Sequence, residues 1–266
     1  MPNESLFIAA KCCLDAQTVA EKIRLTNQAD LAWRSGDLNT TPCEIVCDLS
    51  PGRPDRPEMV EIKDLPRRNL RTPEGLAALI HAIAHIEYNA IDLAWDAVYR
   101  FQDMPEQFYT DWSNIAREEA SHFLLIQNFL NSIGYQYGDF AAHRGLWDMA
   151  VATEYDVLVR MALVPRVMEA RGLDVTPGIM QKLQQAGYPE AAAILQVIYD
   201  EEHGHVAVGN HWFHYLCEKR GVKPLSTFKD LIKLHAGGKI RKPINRQARL
   251  DSGFTEEELL YLDSVI

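Results

Sequence analysis

The pattern Glu-Glu-x-x-His occurs twice in this chain, at residues 118–122 and 201–205, each time inside a long segment of helical periodicity. Helix residues three apart share a face, one turn from each other. Glu119 with His122, and Glu202 with His205, can therefore each present a carboxylate and an imidazole to one point. Glu118 and Glu201 point about a third of a turn away, toward the outside. Several carboxylates turned into one helical interior repel each other and resist desolvation. A pair of divalent cations removes both penalties: glutamate can bridge two ions, and neutral imidazole fills a terminal position. One Glu-x-x-His alone is read as surface charge; two on alternate helices predict a metal site.

The chain around these motifs shows much periodicity of 3.6 and little of two, which marks an all-α protein. The segment Ser5–Trp33 has helical spacing and ends near Gly36. Pro42, Pro51, Gly52, Pro54, Pro57 and Pro66 make residues 39–69 an extended connector wrapped on the core. Four long helices are predicted next. The first is capped by Thr72 with Pro73 behind it and runs to about Phe101, with a stripe of Leu76, Leu79, Ile80, Ile83, Ile86, Ala90, Ile91 and Ala94. The second spans Pro105–Ser132 and stops at Gly134. The third spans Leu146–Arg171, is kinked by Pro165 and stops at Gly172, with a short helix after Thr176-Pro177. The fourth spans Pro189–Lys219, before Gly221. The remainder is a Pro/Gly/basic segment ending in a small acidic helix, residues 255–264, capped by Thr255. The expected division is an N-terminal helix and connector (1–71), an antiparallel helical bundle (72–220) and a basic extension (221–266) within one structural domain.

Di-iron carboxylate bundles add one Glu from each of the two helices lacking Glu-x-x-His. Glu87 supplies the first: the helix break near Asp103-Met104 falls almost midway between it and Glu119. It also sits among Ile83, Ala84, Ala90 and Ile91, where an unpaired carboxylate is costly. For the other there are two candidates. The interval from Glu169 to Glu202 nearly equals that from Glu87 to Glu119, provided that the segment after Thr176 extends the hairpin arm. Glu154 is the rival, its distance from the helix end at Arg171 being closer to the depth of Glu202 past Pro189. The expected ligand set is Glu87, Glu119, His122, Glu169, Glu202 and His205. His81, His85, His203, His211 and His214 are read as core or surface residues, with His81 or His85 as a candidate donor behind the ligands.

The net charge of −10 argues against a surface that grips nucleic acid throughout. Residues 219–249 depart from it. Lys219, Arg220, Lys223, Lys229, Lys233, Lys239, Arg241, Lys242, Arg246 and Arg249 face a single acid, Asp230. A solvated basic face is the plainer reading, and an anionic partner, RNA included, is the functional one. The apolar run Leu6–Ala10 ends at Lys11, too short for a signal peptide, and nothing approaches the ~20 apolar residues of a membrane span. A cytoplasmic protein with no membrane contact is expected. The odd cysteine count (Cys12, Cys13, Cys43, Cys47, Cys217) fits reduced thiols. The C-x3-C pair Cys43 and Cys47 lacks a second pair to make a zinc site.

The segments His85-Ile86-Glu87, Glu119-x-x-His122, Met168-Glu169-Ala170-Arg171-Gly172-Leu173-Asp174 and Glu202-x-x-His205 resemble the ferritin-like family catalogued as domain of unknown function 455. Pro51-Gly52-Arg53-Pro54 leading to Leu65-Pro66-Arg67-Arg68, and Lys242-Pro243-Ile244-Asn245-Arg246-Gln247-Ala248-Arg249, extend the resemblance over nearly the whole chain. The Glu-Ala-Arg triplet at 169–171 and the paired Glu-x-x-His motifs are similar, more distantly, to the di-iron tRNA hydroxylases. There the matching third-helix Glu is a ligand, which favours Glu169 over Glu154. The resemblance implies an all-α, ferritin-like antiparallel four-helix bundle with N- and C-terminal extensions.

Oxygen and imidazole ligation suits iron, with manganese or a mixed pair as alternatives. The expected activity is that of a di-iron oxidoreductase with dioxygen as co-substrate and a small-molecule or nucleotide substrate, in a monomer or small homo-oligomer. Gly204, Gly209 and the Pro165 kink could leave room for that substrate. The alternatives are an iron-handling ferroxidase and a metal-stabilised binding module.

Overall fold

The computed structural model describes residues 4–46, 50–65, 70, 72–235 and 240–265. The chain is mostly helical, as its periodicity predicts, and divides into two compact units, Met1–Val151 and Ala152–Ile266. Cys47, Pro66, Arg67, Arg68 and Lys239, named above, lie outside the described residues. No helix among the described residues is long and apolar enough to cross a membrane.

In the first unit β1 (Glu4–Ser5) pairs in parallel with β2 (Leu38–Asn39). Where one N-terminal helix is predicted, two form: α1 (Leu6–Asp15) and α2 (Val19–Arg34). The break is local chemistry. Thr18 is extended and its hydroxyl accepts the Glu21 N–H, so the chain starts a new helix there. The last carbonyls of α1 are satisfied by a fully buried cation: Lys22 Nζ donates to Cys13 O at 3.2 Å and Leu14 O at 3.4 Å, and pairs with Asp92. The connector crosses the same point. Gly52 N–H donates to Leu14 O at 2.7 Å, and a Cβ at 52 would stand 2.2 Å from Asp15 O, so only glycine fits. Further on, Val60 N–H and Ala142 N–H donate to Ala142 O and Glu58 O, so the connector lies bonded along the core as expected.

The long hairpin of this unit matches the sequence reading. α3 (Pro73–Arg100) starts at the Thr72 cap with Pro73 at its first position, and α4 (Glu106–Ser132) follows the turn at 101–105. α3 packs on α4 and on α1, and α4 packs on α2. Ile86 of the predicted stripe is instead 49% exposed, and Asp92, Asp96 and Arg100 are buried on α3. α5 (Gly145–Ala152) closes the unit.

The second unit departs most from expectation. The predicted third helix is interrupted at residues 153–156, where Asp156 caps α6 (Val157–Leu163) through the Leu158 N–H. A π-helical stretch, Val164–Glu169, follows and contains Pro165. A proline has no N–H to donate and its ring crowds the preceding turn, so the helix widens around it. α7 (Ala170–Gln185) then runs straight through Gly172 and Pro177, where a stop and a separate short helix are predicted. The carbonyl of Leu173, which Pro177 cannot bond, accepts the Asn245 side-chain N–H at 3.2 Å instead. α8 (Pro189–Lys219) packs on α6, the π stretch and α7. A Cβ at Gly209 would stand 2.2 Å from Pro165 Cβ, so Gly209 is where α8 meets the widened turn.

Two helices in the basic region escape the sequence reading, α9 (Pro224–His235) and α10 (Arg246–Asp251); α11 (Glu256–Ser264) is present with a full capping box on Thr255 and Glu258. The segment before α10 is strapped to α7. Arg171 donates to the carbonyls of Arg241, Lys242 and Pro243 at 2.7–2.9 Å, and Arg249 makes a two-pronged pair with Asp174. The Met168–Asp174 and Lys242–Arg249 motifs are thus each other's partners. Arg249 is buried, Arg220 pairs with Asp156, and Arg246 pairs with Glu256 and Asp263, so these cations of the basic run are neutralised within the unit.

Candidate metal centre

In the first unit Glu87 stands mid-way along α3 and Glu119 mid-way along α4, at matching distances from the turn that joins the two helices. An antiparallel hairpin therefore brings them to one depth. Ala84, Ala116 and Ala120, all buried, keep the helices close there. His122 Nδ1 lies 3.3 Å from Glu87 Oε2 and 3.3 Å from Glu119 Oε2. The three side chains offer ligand atoms within 4.8 Å of one another, and none is more than 5% exposed. Burial alone would keep His122 neutral. The hydrogen bonds and charges of Glu119 and Glu87 outweigh it and push the imidazole up to about 11. A proton thus does the neutralising that a bound cation would do, and the donor set is one that a hard divalent ion accepts.

In the second unit Glu202 and His205 lie on α8, with His205 Nδ1 3.6 Å from Glu202 Oε1 and His205 buried. Glu169 ends the π stretch and is half-buried. The turn at 186–188 falls nearly midway between Glu169 and Glu202, where the choice of Glu169 requires it, because α7 does extend the arm. Glu154 sits in the turn between α5 and α6, half-buried and off any helix. The space beside Gly209 is filled by Pro165 and leaves no room for a substrate; the Gly204 position is exposed.

The remaining candidates have other partners. Glu118 accepts from Asn114 and Arg117 at the margin of α4, and Glu201 is exposed. His203 contacts Ser252 Oγ, His214 Nδ1 bonds Asn210 O, and His211 is exposed. Cys43 Sγ accepts from Gln102. His81 and His85 fasten the loop after α4. His81 Nε2 accepts the Gly138 N–H at 2.9 Å, so it must be unprotonated there. His85 Nδ1 meets Tyr137 Oη at 2.9 Å and Nε2 meets His143 O at 3.1 Å. Burial lowers both imidazoles to about 4.

Those two shifts set a pH dependence. Unfolded histidines titrate near about 6.5. Between that value and about 4 the unfolded chain takes up protons that the folded one does not, so stability falls as pH drops through this window. Each residue contributes up to about 1.4 kcal/mol per pH unit. Urea denaturation at pH 7 and pH 5 measures this loss, and His81→Gln makes the slope shallower. An unchanged slope would mean that His81 is charged when folded. The buried Lys22–Asp92 pair is absent from the sequence expectations; an Asp inside an apolar α3 stripe is the signal that points to it.

The family model described as "Protein of unknown function (DUF455)" matches residues 15–260. An uncharacterised protein of Haemophilus influenzae (strain ATCC 51907 / DSM 11121 / KW20 / Rd) is 47% identical over 219 residues, covering 80% of this chain and 76% of that protein. No solved structure matches.

Proposed function

We propose that this chain, which belongs to the family described as protein of unknown function DUF455, is a ferritin-like dinuclear metal protein and a di-iron oxidoreductase that uses dioxygen. Glu87, Glu119 and His122 would hold metal from one half of the repeat, and Glu169, Glu202 and His205 from the other. The observation that carries this reading is the buried trio on α3 and α4, two carboxylates sharing one imidazole nitrogen at 3.3 Å. Two carboxylates enclosed that closely repel each other unless a proton or a cation is held between them, and a divalent ion meets that need. The second Glu-x-x-His, on α8, repeats the donor pair.

When bound, iron supplies the redox change and open positions for dioxygen. The chain's own part is to fix the donors. Glu87 and Glu119 orient the His122 ring, and burial keeps bulk water from the carboxylates. His122 would hold a metal as the neutral imidazole, because a coordinating nitrogen must be unprotonated.

Metal analysis of protein purified from its native host tests the proposal, with two irons per chain as the expected result. Zinc alone, or no stoichiometric metal after anaerobic Fe(II) loading, would overturn it. Light scattering separates it from iron storage: a small oligomer is expected, whereas a hollow multi-subunit shell would favour storage.

A further inference from the structure

In the second unit, contacts spread from α6 to α7 record how this arm lies against α8. Arg220 Nη1 donates to Asp156 Oδ2 at 2.7 Å. Pro165 meets Gly209, where an added Cβ would stand 2.2 Å from Pro165 Cβ and 2.5 Å from its Cγ. Arg166 Nε donates to Asn210 Oδ1 at 2.6 Å. Asn245 Nδ2 donates to the Leu173 carbonyl at 3.2 Å and to Tyr199 Oη at 3.1 Å, which puts those two residues side by side. The sequence midpoint of every one of these pairs falls at residues 186–188, the turn between α7 and α8. α6, the π stretch and α7 therefore run antiparallel to α8 in one continuous register.

Glu169 and His205 share that midpoint. They fall between the Arg166–Asn210 and Leu173–Tyr199 contacts and so stand opposite each other. Their polar atoms agree with this: Glu169 Oε2 and His205 Nδ1 are both shut off from solvent, although Glu169 as a residue is half-buried. Glu202 is one turn before His205, on the same face. Glu154 belongs to a different level. The turn that carries it is fastened by Asp156 to Arg220, about 27 Å further along α8 than Glu202.

The widened turn supplies the aim. The Ala170 N–H is directed at the Pro165 carbonyl, five residues back, where an α-helix reaches back four. At 3.6 residues per turn, position 169 would overshoot the direction of position 165 by about 40°. A wider turn removes most of that overshoot and leaves Glu169 on the face that Pro165 turns to α8. On α8 itself Gly209 and His205 are four apart and share a face.

We infer that the seating of Pro165 on Gly209 is a positioning device, which sets Glu169 opposite His205 to take a divalent cation. The inference rests on the metal reading above, and adds that Gly209 governs the site although it has no side chain to coordinate. A methyl group at 209 cannot be accommodated by a rotamer change, because the proline ring is fixed to its own backbone. The helices must part or slide, and Glu169 moves off His205.

The test titrates metal-stripped, full-length protein with Mn(II), reading the free ion by electron paramagnetic resonance and melting by circular dichroism. The parent should bind two ions. Gly209→Ala should bind about tenfold or more weakly at a temperature where it is fully folded. Gly204→Ala, at an exposed position with nothing within 4 Å of the added carbon, should bind as the parent does. Leu183→Ala isolates the effect of lost stability. It truncates a buried side chain near the far end of α7 and should lower the melting temperature while leaving affinity unchanged. Parent-like affinity in Gly209→Ala, or an equal weakening in Leu183→Ala, would overturn the inference while the parent's two ions uphold the metal reading. A parent that takes up neither Mn(II) nor, anaerobically, Fe(II) would overturn both together.

Discussion

The double variant Glu119→Ala/Glu202→Ala binds no stoichiometric metal, whereas Glu118→Ala/Glu201→Ala, one position earlier in each motif, retains the parent's full complement. Glu119 is buried and shares His122 Nδ1 with Glu87. Glu118 instead bonds Asn114 and Arg117 at the margin, and Glu201 is exposed. Altering groups behind a metal's direct ligands already costs about 10–100-fold in affinity, so losing a carboxylate ligand from each motif should exceed about 100-fold. Metal per chain is read by mass spectrometry after Fe(II) or Mn(II) loading and desalting. Thermal unfolding gives a second reading, because a ligand bound only by the folded state stabilises it in proportion to RT ln(1 + [L]/Kd). Added metal should raise the parent's melting temperature and leave the double variant's unchanged. Two metals retained by Glu119→Ala/Glu202→Ala would refute the ligand assignment.

Arg166→Met lowers stability by about 3–5 kcal/mol. Arg166 is fully buried in the π stretch, with Nη2 2.5 Å from Glu258 Oε1 and Nε 2.6 Å from Asn210 Oδ1. Phe213, Phe228 and Phe254 surround the guanidinium at 4.0–4.8 Å. Removing the cation strands a carboxylate that is 1% exposed. Arg166→Met/Glu258→Gln removes the charge that is left over and should recover a substantial part of the loss. Denaturant midpoints of the two variants and the parent measure both effects. A single variant within about 0.5 kcal/mol of the parent would show that the pair carries no such energy.

The long helices were legible because their evidence is local. Thr72-Pro73, Pro189-Glu190 and the Thr255 capping box mark starts, and Gly134 and Gly221 mark stops with positive φ. The acidic trio was legible for the same reason, since Glu119 and His122 are one turn apart and the α3–α4 turn falls midway from Glu87. What escaped depended on partners distant in sequence. Pro177 reads as a helix breaker until Asn245 supplies the missing donor from the far end of the unit. Gly209 reads as spare room until Pro165 occupies it. The basic run reads as one exposed surface until Arg249 is found buried on Asp174. The breaks at Thr18 and Asp156 lie between, since each is a side-chain cap that periodicity alone passes over.

The strap across α7 has a consequence for the order of events during synthesis. Chains fold from the N-terminus as they are made, at about 5–20 residues per second. The first unit contains its own partners for Lys22, Gly52 and His81, all within residues 1–151. In the second, Asp174, the Leu173 carbonyl and Arg166 wait for Arg249, Asn245 and Glu258. A ribosome paused after α8 therefore carries the complete α3–α4 hairpin and, in the second unit, an α7 whose partners Arg249 and Asn245 have not yet been translated. The segment bearing Glu169 already has α8 to pack on, and gains the Arg166–Glu258 and Asp174–Arg249 pairs only when residues 241–258 emerge.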